Sequence, residues 1–364
     1  MADIRSYNDY LKVPGKELER LIHDRQHLLR REIEHYLRHE CVDMYPERNE
    51  KYWRRDYSSV PAYLKSVQSN RQRWQEALGV FDPMAGTPEV EWEPFLADEN
   101  MEVRWLKIRF AENYYGRALL GVPRRVKGRL PMVICQHGAG SAPETVFGLH
   151  DDANLYHSFG YRLVRDGFIV LAPLCVTTIE EPSRNRCARL SLLLGKTIFG
   201  LEISVLKRLL DYVTKIPQVD AGRIGIWGIS MGGQYTMFCL PVEERIKVGI
   251  ICAFFNHRRR KMVIEDVRYS CFLPLQEGES MYIPGLLREF SDSDLLALIC
   301  PRAVQVQAGK ADEVSWWPDL IEEFKEGKEH YQRLGINDHI ELDMHEGGHE
   351  IRYENGLAFL KKWL

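Results

Sequence analysis

Several absences narrow the reading of this chain before any motif is considered. Nothing in its 364 residues approaches an apolar run of 18, so no membrane-spanning helix is expected. The eight cysteines (Cys41, Cys135, Cys175, Cys187, Cys239, Cys252, Cys271 and Cys300) include no CxxC pair, and several lie in apolar stretches such as "MVICQ" and "GIICAFF". They read as reduced core residues. Charge of either sign is barely in excess, with 49 Lys and Arg against 52 Asp and Glu and a net charge of −3. That argues against broad attraction to nucleic acid or to an anionic membrane. The first residues lack the basic and then apolar pattern of a secretory leader, and a cytoplasmic location is expected. Internal repeats and low-complexity tracts are missing too.

What is present divides in two. From about residue 16 to 80 apolar residues recur at three and four among many charges, as in "LERLIHDRQHLLRREIEHYLRHE", the period of amphipathic helices. Pro83, Gly86, Pro88 and Pro94 end that pattern. Beyond it come the β-rich runs "VRWLKIRF", "YYGRALLGV", "LPMVICQHG", "FIVLAPL", "RIGIWGIS", "IKVGIICAFF", "RAVQVQAGK" and "IELDMHEG". Several are continuously apolar, as in a parallel sheet covered on both faces, and the first two suit an antiparallel start. Helical stretches alternate with them, so the fold class is α/β: a mostly parallel central sheet with helices on both faces and an N-terminal helical extension. The expected division is an extension over 1–98 and a catalytic domain over 99–364. Within the latter, 256–298 is too long for an ordinary connection and is expected to shape a pocket.

"RIGIWGISMGGQ" is the strand, sharp turn and helix start that a GxSxG elbow requires, with Ser230 at its apex. Glycines on either side remove the side chains that would collide in such a turn. The N–H of Met231, at the new helix's N-terminus, is placed to steady an oxyanion. A serine hydroxyl needs an imidazole to take its proton, and the imidazole needs an anion. After Ser230 in the chain, Asp312 follows the strand in "VQVQAGKADEV" and His349 follows the last strand in "LDMHEGGHEIRYE". Both leave strand C-terminal ends, the ligand-binding edge of an open α/β sheet. Glu313, Asp292 and Asp294 are substitutes for the acid. His345 competes as base, but it lies at the strand end, where packing fixes its direction. "VICQHGAGS" ends an earlier strand in small residues, and the Ala139 N–H is the second oxyanion donor; His137 is read as structural.

These motifs, with "IPGLLREFSDSDLLALICPRAVQVQAGKAD" and "HEGGHE", resemble the α/β-hydrolase superfamily over roughly residues 100 to 364, and within it the dienelactone hydrolase and acetyl xylan esterase-like branch. The resemblance implies Ser230 as nucleophile, Asp312 as acid and His349 as base. It further implies a metal-independent serine esterase for short acyl, notably acetyl, esters of a small soluble substrate such as an acetylated sugar. Alternatives are a prolyl oligopeptidase-like serine peptidase and a non-catalytic binding protein on the same scaffold. No cofactor or metal is expected. The expected partners are a small ester substrate and a second copy of the chain, with no nucleic acid and no membrane.

Other features carry less. "LLLGKT" lacks the first glycine of a phosphate-binding loop, where Leu190 stands. His23 and His27, and His35 and His39, have metal-pair spacing on a polar helix and read as a solvated face. "HRRRK" at 257–261 reads as a surface loop. Trp316 and Trp317 fit a pocket wall or a core equally. Trp53, Tyr57, Tyr63 and Trp74 give the N-terminal segment more apolar surface than a free linker needs, so it is expected to pack on the hydrolase domain or on a second subunit.

Overall fold

The structure is a computed structural model that describes residues 6–125, 127–178, 183–275 and 278–364. Nine strands run along the described chain: β1 (Val90–Ala97), β2 (Met101–Ala111), β3 (Tyr114–Pro123), β4 (Leu130–Gln136), β5 (Ile169–Pro173), β6 (Val219–Ile229), β7 (Ile246–Cys252), β8 (Ala303–Gly309) and β9 (Ile340–His345). They form one sheet in the order β1-β2-β3-β5-β4-β6-β7-β8-β9. The first three strands pair antiparallel, and β3 pairs antiparallel with β5. From β5 to β9 every pairing is parallel. In β8 all seven residues are buried, as are the last six of β6, because helices cover both faces. This is the α/β architecture expected, with its antiparallel start.

Register decides where the loops emerge. Gln136 of β4 pairs beside Gly228 of β6, Ile229 beside Cys252 of β7, Cys252 beside Gln307 of β8, and Gly309 beside His345 of β9. The segments that follow these residues therefore leave the sheet along one edge.

β1 lies wholly before residue 99, so the sheet begins earlier than the expected boundary. Its burial is that of an exposed edge strand, and Pro94 with two glutamates masks the strand period, as edge strands commonly do. The helical region is built from helices Gly15–Val42, Tyr45–Glu50, Val60–Ser66 and Gln68–Leu78. Its later part enters the core: Trp74 and Tyr63 are fully buried and Trp53 nearly so. The Trp74 indole donates to the Phe238 carbonyl at 3.1 Å, the Tyr63 hydroxyl to Ala297 O at 2.8 Å and the Trp53 indole to Glu289 O at 3.1 Å.

Two of those acceptors belong to 256–298, so that segment seats the N-terminal helices. Its basic run is not a surface loop. Residues Arg258–Val263 form a helix in which Arg258, Arg259 and Lys261 are buried. Arg258 makes a two-pronged ion pair with the equally buried Asp292, at 2.7 and 2.9 Å. Buried charges persist when paired and hydrogen-bonded in this way. Lys261 donates to Ser270 Oγ at 2.9 Å and to the Val314 carbonyl, and burial pushes its amine down to about 7.

Candidate active site

Ser230 stands between β6 and the helix Met231–Cys239 with φ 58° and ψ −126°, a conformation that costs free energy in a residue with a Cβ. The surroundings enforce it. The Ser230 N–H donates to Cys252 O at 2.9 Å, and the Ser230 carbonyl accepts from Gln234 N at 3.1 Å. A Cβ at Gly228 would lie 2.1 Å from the Gly232 carbonyl oxygen, and one at Gly232 2.1 Å from that of Gln136. The glycines are required because backbones touch there, beyond any need for a flexible turn.

Asp312 and His349 meet across two adjacent loops. The loop after β8 and the loop after β9 are joined by Lys310 N to His345 O at 2.8 Å and Ala311 N to Gly347 O at 3.0 Å. Gly309 admits no side chain, since a Cβ would lie 2.3 Å from the carbonyl oxygens of both Gly347 and Gly348. The buried Asp312 carboxylate accepts from Val314 N through Oδ1 and from His349 Nδ1 through Oδ2, both at 2.9 Å. That bond assigns the proton to Nδ1 and leaves Nε2 as an acceptor.

The competitors are engaged elsewhere. The buried His345 accepts the Gly347 N–H at its Nδ1, at 3.1 Å, and burial followed by the charge of Arg352 holds its imidazole below the ordinary range. Asp292 pairs with Arg258. Asp294 receives Arg55 at 2.5 Å and caps the helix Asp292–Ile299. Glu313 is exposed.

In the loop after β4, Gly138 N donates to the Tyr156 hydroxyl at 2.8 Å and Gly140 N to Thr177 O at 2.9 Å. Between them the Ala139 N–H has no hydrogen-bond partner among the described residues, and neither has that of Met231. His137 is fully buried; its Nε2 accepts Cys175 N at 3.1 Å and its Nδ1 donates to Gly138 O at 3.2 Å. Burial pushes it down to about 4, so it is a neutral strut beneath the loop.

Ser230, His349, Gly138 and Ala139 line one cavity of about 700 Å³. Its far wall comes from His150–Ala153, Leu155 and Tyr156, with Thr177 and Thr178 beside them. None of its described lining residues belongs to 256–298, and neither Trp316 nor Trp317 reaches it; the expected pocket-shaping role of that segment is not seen. Sequence reading missed the wall that replaces it. The 150–156 stretch has no periodic pattern; Asp151 braces it locally, accepting from Leu155 N and Tyr156 N, each at 3.0 Å, and long-range contacts hold it in place, Ile351 N donating to Leu155 O at 2.9 Å and His157 meeting Glu350 at 2.8 Å. Tyr156 lies there too, its hydroxyl and the Ser230 Cβ each 3.1 Å from where a Gly138 Cβ would stand.

The parallel sheet, the strained serine at its edge and the Asp312–His349 pair together define an α/β-hydrolase fold. The sequence profile of the Abhydrolase family matches residues 104–346, and the chain belongs to that family. It is similar to the Bacillus subtilis (strain 168) protein named "Putative hydrolase YtaP", at 28% identity over 254 residues, 66% of this chain and 81% of that one. Among solved structures it resembles a "putative acetyl xylan esterase" from Bacteroides fragilis NCTC 9343, with a TM-score of 0.65 and 16% identity over 83% of this chain and 80% of that chain. A glucuronoyl esterase from Solibacter usitatus aligns with a TM-score of 0.60 and 15% identity over 84% of this chain and 93% of the other. At these identities the likeness to solved structures is one of fold. Among the described residues no helix is long and apolar enough to cross a membrane.

Proposed function

We propose that the protein is a serine carboxylester hydrolase for short-acyl esters, notably acetyl esters, of a small polyhydroxylated substrate such as an acetylated sugar. The observation that carries this reading is the 2.9 Å bond between Asp312 and His349 at the mouth of the cavity that Ser230 lines. Among the described residues Ser230 Oγ makes no hydrogen bond, and the contact with His349 Nε2 closes when an ester enters, as catalytic hydrogen bonds often do. His349 then takes the Ser230 proton while Oγ adds to the ester carbonyl, and the N–H groups of Met231 and Ala139 receive the oxyanion. Collapse of the tetrahedral intermediate expels the alcohol, which takes the proton from His349. Water, deprotonated by His349, cleaves the acyl-enzyme. Tyr156 is a positioning residue, since holding the Gly138 N–H leaves that of Ala139 free for the substrate.

The cavity favours neutral substrates. No lysine or arginine is among its described lining residues, while Asp151 and Asp152 are. A carboxylate-bearing ester would find no counter-charge there, whereas hydroxyl groups would find acceptors. The test is labelling by a fluorophosphonate followed by mass spectrometry, with turnover of acetyl, butyryl and octanoyl esters and of a peptide substrate. Label on Ser230 and a kcat/KM that falls with acyl length are expected. Label elsewhere, or preference for the peptide, would remove the proposal.

A further inference from the structure

The helix Gly15–Val42 is 28 residues long and buries none of them. Six large apolar side chains on it, Ile22, Leu28, Leu29, Ile33, Tyr36 and Leu37, are 49% to 61% exposed. At about 100° per residue, Ile22, Leu29, Ile33 and Tyr36 fall in one stripe, with Leu37 at its margin and Leu28 on the flank of the helix. Arg38, nine residues past Leu29, projects from the opposite side of the helix, and Arg38 is the residue that reaches Glu265 of the body, at 3.6 Å. The stripe therefore faces away from the hydrolase body. An apolar strip of this size marks an interaction surface.

Its charges indicate the occupant. Arg25 and Glu32 lie along one edge of the stripe, both exposed, and neither has an ion-pair or hydrogen-bond partner among the described residues. Their midpoint falls between Leu28 and Leu29. We propose that this helix pairs antiparallel with the same helix of a second copy of this chain, about a two-fold axis passing between Leu28 and Leu29. Arg25 then lies opposite Glu32 of the second copy, twice by symmetry. Leu29 packs beside Leu29 of the second copy near the axis, and Ile22 beside its Tyr36. A parallel pair would set Arg25 against Arg25 and Glu32 against Glu32, so the two charges select the antiparallel arrangement. A helix of this length spans about 42 Å. One helix pair sits near the lower limit of a stable interface, about 1,200 Å² in total, so the dimer is concentration-dependent.

Sedimentation velocity on the full chain tests this, from about 1 to about 200 µM, a range that brackets a weak mass-action equilibrium. The wild type should shift from monomer to dimer across it. Arg25→Glu and Glu32→Arg should each stay monomeric, because like charges then meet twice. An equimolar mixture of the two variants should dimerise again, since one copy carries two acids and the other two bases at these positions. The double variant should behave as wild type, and circular dichroism should show equal helix content in all. A wild type that remains monomeric at the top concentration would overturn the proposal. So would single variants that dimerise normally, or a mixture that fails to pair.

Discussion

The sheet edge around Ser230 and the helical region that precedes the sheet are held by different kinds of contact. Around Ser230 main chain meets main chain: Gly228 against Gly232, Gly232 against Gln136, and Gly309 against Gly347 and Gly348. Around Trp74 and Tyr63, large side chains fill a core and finish in single hydrogen bonds to carbonyls. The first arrangement fixes atoms with almost no side-chain freedom to lose, which suits a site that must be preorganised. The second contributes burial and tolerates repacking. Damage to the first should appear in turnover, and damage to the second in stability.

The sharpest separation is expected from the proposed nucleophile. Ser230→Ala and His349→Ala should each lower kcat by about 10⁵- to 10⁶-fold with thermal unfolding nearly unchanged, as when members of one catalytic unit are removed. Asp312→Asn preserves shape but upsets the imidazole tautomer, and a loss of about 10⁴-fold is expected. His345→Ala should be far milder; equal loss from it would reassign the base. Trp74→Ala tests the other region: it should cost about 3–5 kcal/mol of stability, read by denaturant unfolding, with kcat intact in the protein that remains folded. A kcat collapse at unchanged stability would dissolve the comparison.

Tyr156 belongs to both regimes, since its ring packs near Phe159 while its hydroxyl holds the Gly138 N–H. Tyr156→Phe keeps the ring, so about a 10- to 100-fold fall in kcat with little change in KM or melting temperature is expected from a loosened oxyanion loop. A rise in KM alone would mean that the hydroxyl binds substrate and does not order the loop. The smallest effect concerns His137. Its imidazole is held at about 4, against an ordinary value of 6.5. It stays neutral in the folded protein while the unfolded chain takes up a proton below 6.5. Stability from this group is complete above that pH and is lost as pH falls toward 4. The melting temperature should decline through that window, and less steeply in His137→Gln; identical slopes would show that another group governs.

Local pattern carried much of this molecule. Eight of the nine strands show as apolar or β-branched runs, and the elbow is marked by glycines whose spacing no helix or strand explains. The loops bearing Asp312 and His349 can be located because each follows a strand, and parallel strands deliver their C-terminal ends to one edge. Where the pattern was silent, the deciding contacts were long-range. β1 is an edge strand whose glutamates face water, so it needed no apolar alternation. The Arg258 run is buried because Asp292, far along the chain, arrives to neutralise it, and charge alone reads as surface.

By itself the sequence determined the α/β class and located the elbow at Ser230 and the loops bearing Asp312 and His349 behind it, because these rest on periodicity and on glycine's freedom from a Cβ. The sequence favoured His349 over His345 and named the Met231 and Ala139 N–H groups; the tertiary structure brings His349 to Asp312, leaves those two N–H groups without a partner among the described residues, and alone decided which segment walls the cavity. Hydrogen bonds between loops tens of residues apart settle those points, and a chain acquires them only once the sheet has set its strands in register.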